Sequence, residues 1–273
     1  MNFDYATLLP RVIALAKEAG TVILSHYDKE GDISVKVKED QSPVTAADVE
    51  SDQLIRAGLS KLTPSWPIIS EESPIPEFDQ RKDWEYFWCV DPLDGTKGFI
   101  RKTDDFVVNI ALVKDNLPVL GVVYSPTRKT VYYSNAYSRA YRQVEGEMPT
   151  EIKTRSYHPE HITMAVSRFH QSSKLKDLFN DFPQLEALER GSAIKSCYVA
   201  EGRVDIAPRL GPTCAWDTAA AQCIVEQAGG KIIDLEGKLL QYNTQESLLN
   251  PSFLVIGDPS YDWVTMFNKT VRR

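Results

Sequence analysis

The chain has 273 residues, 42% hydrophobic and 10% aromatic, with a formal net charge of −7 at pH 7. This composition suits one large folded domain or two closely packed halves, and it argues against an intrinsically disordered chain. The acidic balance argues against the basic surface that binds nucleic acid polymers. Wherever the chain binds an anionic ligand, it therefore needs metal ions or a few well-placed basic side chains.

Residues 1–20 lack the basic stretch, the apolar run and the cleavage site of a secretory signal peptide. No stretch approaches the roughly 18 consecutive apolar residues that span a bilayer. We therefore expect a cytoplasmic protein without an integral membrane segment, and peripheral association with the inner membrane stays open. The cysteines have no CxxC spacing, which predicts reduced and mostly buried thiols at Cys89, Cys197, Cys214 and Cys223.

The first part of the chain predicts helices and strands in alternation. Apolar side chains at helical spacing predict an amphipathic helix over 5–27 and a second helix over 45–61. Between these helices, residues 33–37 alternate like a strand. Short apolar segments predict further strands at 67–69, 86–90, 106–113 and 117–124.

The polar segment 135–160 is the best candidate for a boundary, which predicts halves at 1–148 and 149–273. Beyond it, strand-like pieces at 162–166, 204–207, 231–234 and 253–256 alternate with helical ones at 172–180, 193–201 and 217–228. This pattern predicts an α+β first half, an α/β second half and a mixed α/β fold class.

An acidic turn carries the strongest chemical signal. The apolar run Trp88–Val90 leads into Asp91-Pro92-Leu93-Asp94-Gly95-Thr96, where Pro92 ends ladder pairing and Gly95 permits a tight turn. Two carboxylates on such a turn can face one point, and hard divalent cations such as Mg²⁺ bind carboxylate oxygens. If Gly95 and Thr96 open a helix, their amides can hold a phosphate. The alternative is a loop whose aspartates only stabilise a turn.

Further features strengthen the metal interpretation, although each has a plain structural alternative as a solvated acid, a helix cap or surface charge. They are Glu71-Glu72 after an apolar segment, Thr45 with Asp48 before a helix, Trp216-Asp217 opening a late helix, and Gly191–Lys195 together with Arg209. Their joint occurrence in this order favours one functional site.

These motifs resemble those of the lithium-sensitive, magnesium-dependent phosphomonoesterase superfamily, which includes inositol monophosphatases and fructose-1,6-bisphosphatases. Its marks are an acidic pair after a strand, Asp-Pro-(Ile/Leu)-Asp-Gly-Thr, and Trp-Asp-x-Ala-Ala; here they are residues 71–72, 91–96 and 216–220. The resemblance covers nearly the whole chain. It implies a layered α/β/α/β/α sandwich of the inositol monophosphatase / sugar phosphatase type, with metals where the halves meet.

Within this superfamily the chain looks most like the 3′(2′),5′-bisphosphate nucleotidases of bacterial sulfur assimilation. The segments that carry this likeness are 94–100, 166–170, 191–195, 201–203 and 208–213. The likeness implies hydrolysis of adenosine 3′,5′-bisphosphate, a small nucleotide, to AMP and phosphate. Two positions depart from the pattern: Gly98, where bacterial members commonly have Glu, and Ala221, where a Gly is usual.

The resemblance also implies residue roles. Two or three Mg²⁺ ions would be held by Glu71, Asp91, Asp94, Asp217 and the carbonyl of Leu93. Asp48, Thr96 and Glu71 would be catalytic, with Thr96 hydrogen-bonded to Asp48 and orienting the attacking water. The transferred phosphoryl group would lie against Asp94, Gly95 and Thr96. The nucleotide and its second phosphate would contact His170, Ser192, Lys195, Arg209 and Asp217.

Three alternatives stay open. A haloacid-dehalogenase-type phosphatase has a similar signature, but its acids are two apart near the first strand and one forms a covalent intermediate. Another substrate of the same superfamily, inositol phosphate or fructose bisphosphate, depends on pocket shape. A nucleotide- or metal-sensing protein without catalysis belongs to a different class. The sequence does not predict an oligomeric state.

Overall fold

The structure is a computed structural model that describes residues 4–28, 35–37, 43–168, 179, 182 and 184–271. The helices are α1 Tyr5–Tyr27, α2 Ala46–Leu62, α3 Phe78–Arg81, α4 Thr96–Ile100, α5 Ile194–Ala200, α6 Ala215–Gln227 and α7 Trp263–Val271. The strands are β1 Val35–Val37, β2 Pro43–Thr45, β3 Ile68–Ser70, β4 Tyr86–Asp94, β5 Val107–Lys114, β6 Leu117–Ser125, β7 Thr130–Asn135, β8 Ala140–Val144, β9 Thr150–Ile152, β10 Ile162–Ser167, β11 Leu185–Arg190, β12 Ile206–Arg209, β13 Lys231–Asp234 and β14 Phe253–Ile256.

A seven-stranded sheet runs in chain order from β3 to β9, with β3 parallel to β4 and all later pairs antiparallel. Helices α1 and α2 cover one of its faces. The apolar stripe of α1, including Val12, Ala16 and Ile23, is fully buried against sheet residues such as Trp88 and Ile110. This packing explains the amphipathic pattern, and the predicted helix over 5–27 is confirmed.

Helices α5 and α6 lie between this sheet and a second one, since their side chains share a single core with both sheets. The alanines of α6 allow a close approach to β6. At Gly121 of β6 any Cβ would collide with the carbonyl oxygen of Ala220. The middle helical layer is therefore held tightly against the first sheet, and Ala221 is wholly buried in that layer.

The second sheet has five strands in the order β11-β10-β12-β14-β13. Strand β10 is parallel to both of its neighbours, whereas β14 is antiparallel to β12 and β13. Helix α7 covers its outer face through the buried side chains of Trp263, Met266 and Phe267. The layers thus follow the order α/β/α/β/α, which confirms the expected sandwich. Among the described residues, no helix is long and apolar enough to cross a membrane.

Several boundaries differ from the sequence-based expectation. The polar segment 135–160 contains β8 and β9, which extend the first sheet to Ile152, so the sheets change between Ile152 and Ile162. The prediction that the segment separates two halves missed these strands because their outward-facing residues are polar. The division at 148 and 149 stays a prediction, and most of the predicted helix 172–180 lies outside the described residues.

Candidate active site

Asp91 and Asp94 lie at the end of β4, where the strand bulges. In the register with β5, Asp91 pairs with Asn109 and Asp94 pairs with Val107, so three steps on β4 match two on β5. Residues three apart on a regular strand face opposite sides, but one extra residue in a bulge reverses that relation. Pro92 lies within this bulge, where its missing N–H is tolerated. The bulge therefore brings both carboxylates to one side.

Asp217 joins this pair from the other half of the molecule. It is the third residue of α6, and its Oδ2 accepts a hydrogen bond from the Cys214 amide at 2.6 Å. Asp217 is thus part of a helix cap, as the plain alternative predicted, although Cys214 rather than Asp217 is the N-cap residue. One carboxylate oxygen each of Asp91, Asp94 and Asp217 lie within 4.8 Å of one another.

The cluster is electrostatically strained. Burial, followed by repulsion from Glu71, raises the pKa of Asp91 well above its usual range. Burial also raises the pKa of Asp94, and burial together with Asp94 raises the pKa of Asp217 to about 7. Buried carboxylates at such short separation favour protonation unless a cation compensates their charge. The site is therefore built for a positively charged occupant.

A divalent metal ion fits this site. Asp91 Oδ1 accepts the Leu93 amide at 2.9 Å, whereas its buried Oδ2 has no hydrogen-bond partner among the described residues. Glu71, which follows β3, and Leu93 line the same cleft as the three aspartates. Carboxylate and carbonyl oxygens are the ligands that Mg²⁺ prefers. All five predicted metal ligands therefore border one cleft.

Thr96 and Asp48 meet beside this cluster. The Thr96 hydroxyl lies 3.3 Å from Asp48 Oδ1, to which it donates a hydrogen bond, while Asp48 Oδ2 accepts from the Thr45 amide at 2.8 Å. The capping box predicted for α2 is present, and Asp48 makes the additional contact to Thr96 that the resemblance implied. A buried Asp48, 2% exposed, thus links the start of α2 to the acidic turn.

Gly95 immediately precedes α4, with a φ of 98° in the left-handed region. A side chain is also excluded there by space, because a Cβ would lie 2.5 Å from the carbonyl oxygen of Asp105. Helix α4 begins at Thr96 and has five residues. Both Gly95 and Thr96 border the cleft, as expected for residues that bind a phosphoryl group.

Two basic side chains, Lys195 and Arg209, also line the cleft, whose volume is about 280 Å³. Burial raises the pKa of Asp94, and the nearby Lys195 opposes that effect. Lys195 of α5 is 9% exposed and donates from Nζ to the Ser192 carbonyl at 2.8 Å. Burial, followed by the nearby Arg209, lowers the pKa of Lys195 to about 8. Arg209 ends β12, and Ser192 borders the same cleft. His170 lies outside the described residues.

Two polar residues at the site were not predicted. Asn109 donates to Asp94 Oδ2 at 3.3 Å, and it interrupts the apolar strand β5, a signal that sequence reading can detect. Asp105 is buried and borders the cleft, with ion pairs to Arg128 at 2.9 Å and Arg168 at 3.1 Å. These partners lie 23 and 63 positions away, so no local pattern indicates the contact.

Comparison with known proteins agrees with this arrangement. The family model described as the inositol monophosphatase family matches residues 4–271. The 3′(2′),5′-bisphosphate nucleotidase CysQ of Salmonella typhimurium is 42% identical over 248 residues, 91% of this chain and 99% of that protein. The CysQ of Haemophilus influenzae is 36% identical over 261 residues, 95% of this chain and 96% of that protein.

A solved structure has the same architecture over most of the chain. CysQ from Bacteroides thetaiotaomicron, described as a bacterial member of the inositol monophosphatase family, is 34% identical with a TM-score of 0.81. That match covers 94% of this chain and 99% of the other. The family model, the full-length relatives and the fold agree, and this chain belongs to the inositol monophosphatase family of metal-dependent phosphatases.

Proposed function

We propose that this chain is a Mg²⁺-dependent 3′(2′),5′-bisphosphate nucleotidase that hydrolyses adenosine 3′,5′-bisphosphate to AMP and phosphate. The observation that carries the proposal is one cleft lined by an acidic cluster, in which Asp91 is buried and Asp94 and Asp217 are half-buried, and also by the basic side chains of Lys195 and Arg209. A substrate with two phosphates matches this division, because one phosphate meets bound metal while the other meets basic side chains. The near full-length likeness to nucleotidases named CysQ supports the nucleotide as substrate.

The metal site in this proposal consists of the carboxylates of Glu71, Asp91, Asp94 and Asp217 and the carbonyl of Leu93, which together would hold two or three Mg²⁺ ions. When bound, Mg²⁺ lowers the pKa of a coordinated water and offsets negative charge on the phosphate. The protein fixes the ligands in advance. Asp94 Oδ2 accepts from the Ala193 amide at 2.5 Å and from Asn109, so its carboxylate cannot turn away freely.

Thr96 orients the attacking water. The Thr96 hydroxyl has two acceptors within reach, Asp48 Oδ1 at 3.3 Å and the Leu93 carbonyl at 3.4 Å, and in this proposal the Leu93 carbonyl is a metal ligand. The hydroxyl hydrogen is therefore donated to Asp48, and the oxygen lone pairs of Thr96 are left to accept a hydrogen bond from water. Asp48 is buried and hydrogen-bonded to Thr45, so it holds the Thr96 side chain in place. Through Thr96, Asp48 acts as a general base for the proton that the attacking water releases. The amides of Gly95 and Thr96 bind the phosphoryl group as negative charge builds on its oxygens.

Lys195, Arg209, Ser192 and His170 bind the nucleotide and its non-reacting 5′-phosphate. Lys195 is well suited to this role because it is pre-positioned: its Nζ is anchored on the Ser192 carbonyl within the cleft wall. A buried ammonium gains more from an incoming phosphate than an exposed one, since little water screens the pair. The cationic side chains of the cleft thus favour substrates with a second phosphate.

The test compares substrates side by side. Phosphate release from adenosine 3′,5′-bisphosphate, adenosine 3′-monophosphate, inositol 1-phosphate and fructose 1,6-bisphosphate is measured with Mg²⁺, with a chelator and with Li⁺. We expect Mg²⁺-dependent, lithium-inhibited release with a clear preference for the adenosine bisphosphate. A preference for inositol phosphate or fructose bisphosphate would overturn the substrate, and no release in protein that binds Mg²⁺ would favour a sensor.

A Lys195→Met variant separates the two ends of the cleft. We expect it to raise KM for the adenosine bisphosphate while KM for adenosine 3′-monophosphate changes little, because the monophosphate has no 5′-phosphate to bind. Lys153→Met is a matched control, since Lys153 is exposed and pairs with Glu151 on β9. Equal losses with both substrates would contradict the assignment of Lys195 to the second phosphate.

A further inference from the structure

A second cleft, of about 400 Å³, lies apart from the candidate active site and, within the described part of the chain, shares no lining residue with it. Its walls come from the region around β7 and β8, the end of β11 and the segment after α5. We call it the arginine cleft after the basic residues that line it: Arg128, Arg142, Arg190 and Arg203.

The charge of the arginine cleft is opposite to that of the chain. Among the described residues, four arginines and one acid, Glu201, line the cleft, in a protein whose formal net charge is −7. One of the four, Arg128, is paired with Asp105, which lies outside this lining. Glu201 also interacts with a neutral group, because its Oε2 accepts a hydrogen bond from the Tyr132 hydroxyl at 3.0 Å. The cleft thus concentrates positive charge that its own acid does not balance.

Two guanidinium donors in the arginine cleft lack acceptors, although Arg190 also donates from Nη1 to the Glu189 carbonyl at 2.7 Å. The Nε atoms of Arg142 and Arg190 are buried, and neither has a hydrogen-bond partner among the residues that the structure describes. Arg142 Nε lies 3.4 Å from Glu201 Oε2, a contact without hydrogen-bond geometry. Buried polar groups are nearly always hydrogen-bonded in native proteins. These donors therefore point to a ligand that supplies oxygen acceptors.

Arg203 is held in place at the same cleft, since its guanidinium lies over the Tyr198 ring at 4.4 Å from the ring centre. Stacking on an aromatic ring fixes the plane of a guanidinium and leaves its edge N–H groups available to a ligand. Planar guanidinium forks match the paired oxygens of phosphate and sulfate groups, which is why arginine is favoured wherever such groups are bound.

We propose that the arginine cleft is a binding site for a small tetrahedral dianion. The ligand is a free sulfate or phosphate ion, or the phosphate group of a small ester, and it accepts hydrogen bonds from Arg142, Arg190 and Arg203. Because Arg128 is paired with Asp105, the other three arginines exceed Glu201 by two positive charges, which the ligand's charge of about −2 offsets. The volume of the cleft is within the roughly 300–1,000 Å³ that small-molecule sites occupy.

The arginine cleft is connected to the active-site cleft by one ion pair. Arg128, which lines the arginine cleft, holds the buried Asp105 at 2.9 Å, and Asp105 lines the active-site cleft. The carbonyl oxygen of Asp105 also packs against Gly95 of the acidic turn. A dianion that also attracts Arg128 competes with Asp105, and this ion pair is the route by which we expect occupancy of the arginine cleft to affect the active-site cleft.

Calorimetric titration of the Mg²⁺-loaded protein with sodium sulfate, with chloride adjusted to constant ionic strength, tests the proposal. We expect saturable binding in the wild type, at least tenfold weaker binding in an Arg142→Ala/Arg203→Ala double variant, and unchanged binding in an Arg139→Ala control. Arg139 is exposed and pairs with Glu151, so it matches the chemistry of the change outside the cleft. Unchanged affinity in the double variant, or no saturable binding in the wild type, would overturn the proposal.

Two further arms remove ambiguity. Lys195→Met weakens anion binding in the active-site cleft, so loss of sulfate binding in that variant instead of the double variant would overturn the assignment. Phenylphosphonate, a phosphate-ester mimic that cannot be hydrolysed at an ester bond, distinguishes the ligand sources: tighter binding than sulfate indicates an organic phosphate, and equal binding indicates the free ion. If the double variant does not fold, wild-type crystals are soaked in selenate instead. The proposal then requires an anomalous selenium peak between Arg142 and Arg203, and the absence of that peak would overturn it.

Discussion

Replacing Asp217 by Asn should stabilise the metal-free protein although it removes a proposed metal ligand. Burial and the neighbouring Asp94 raise the pKa of Asp217 from 3.8 to about 7. The Asn side chain keeps an oxygen that can accept the Cys214 amide, so the cap of α6 is retained. The substitution therefore removes the contribution of Asp217 to the repulsion within the acidic cluster without removing the hydrogen bond that begins the helix.

The pH window follows from the direction of the pKa change. Between pH 3.8 and about 7 the folded protein binds a proton at Asp217 that the unfolded chain has released, so stability falls as pH rises through this window. Above about pH 7 the destabilisation is complete. Each pKa unit corresponds to about 1.4 kcal/mol, which sets an upper limit of about 4 kcal/mol. Because Asp217 borders the open cleft, solvent screening reduces the expected gain to about 1–2 kcal/mol.

Urea denaturation of wild type and Asp217→Asn at pH 5 and pH 8, in chelator and in Mg²⁺, measures the effect. We expect the variant to be more stable than the wild type in chelator at pH 8, with a smaller difference at pH 5. In Mg²⁺ the order should reverse, because ligand binding stabilises the wild type by mass action. Asp262→Asn is the control, since Asp262 accepts the Thr265 amide at an exposed helix start and its pKa is lowered. A variant that is no more stable than the wild type in chelator at pH 8 would refute the reasoning.

Three other outcomes are expected. Thr96→Val should lower kcat by about 10²–10⁴-fold with little change in KM. Thr96→Ser should retain most turnover, since serine keeps the hydroxyl that bonds to Asp48. Steady-state kinetics tests both variants, and equal losses of kcat would contradict the water-orienting role. In the wild type, kcat/KM for the adenosine bisphosphate should fall as pH rises past about 8, where Lys195 loses its proton, and Lys195→Arg should abolish that fall; a pH profile of both proteins is the check. Sulfate at constant ionic strength should lower kcat in the wild type and leave the double variant of the arginine cleft unaffected, and purely competitive inhibition would count against the connection through Arg128.

Local periodicity was sufficient for several regular elements of the fold, although β7 and β11 were not predicted. The helix predicted over 5–27 matches α1, and the strands predicted at 231–234 and 253–256 match β13 and β14. Each of these elements is amphipathic or wholly apolar, so its burial is encoded within a few residues. Strands β8 and β9 were missed because they lie at the far end of the first sheet, where exposed residues dilute the apolar pattern.

The acidic turn could be predicted from sequence for the same local reason, because Asp91, Pro92, Asp94 and Gly95 lie within five positions. What sequence reading could not supply is the long-range pairing. Asp105 depends on Arg128 and Arg168, and only the fold places these residues together. The lowered pKa of Lys195 likewise follows from burial, which the sequence does not predict for a charged side chain.

The spacing of Asp91 and Asp94 and the presence of Pro92 between them are both explained by the bulge at the end of β4. Acids two apart would face one side of a regular strand without any bulge, whereas acids three apart need the extra residue that the bulge between Asp91 and Asp94 provides. Proline donates no ladder hydrogen bond, so Pro92 is compatible with that local break in pairing. The spacing of three, which separates this chain from haloacid-dehalogenase-type enzymes, is therefore a structural requirement of this strand end.

The acidic cluster also requires both parts of the chain to be packed together. Asp94 is anchored by the Ala193 amide, which precedes α5, and Asp217 arrives on α6. Both helices lie between the two sheets, in a core to which each sheet contributes. Packing of this middle layer therefore positions the carboxylates, and a change that loosens it, such as a larger side chain at Gly121, would displace Asp217 relative to Asp91.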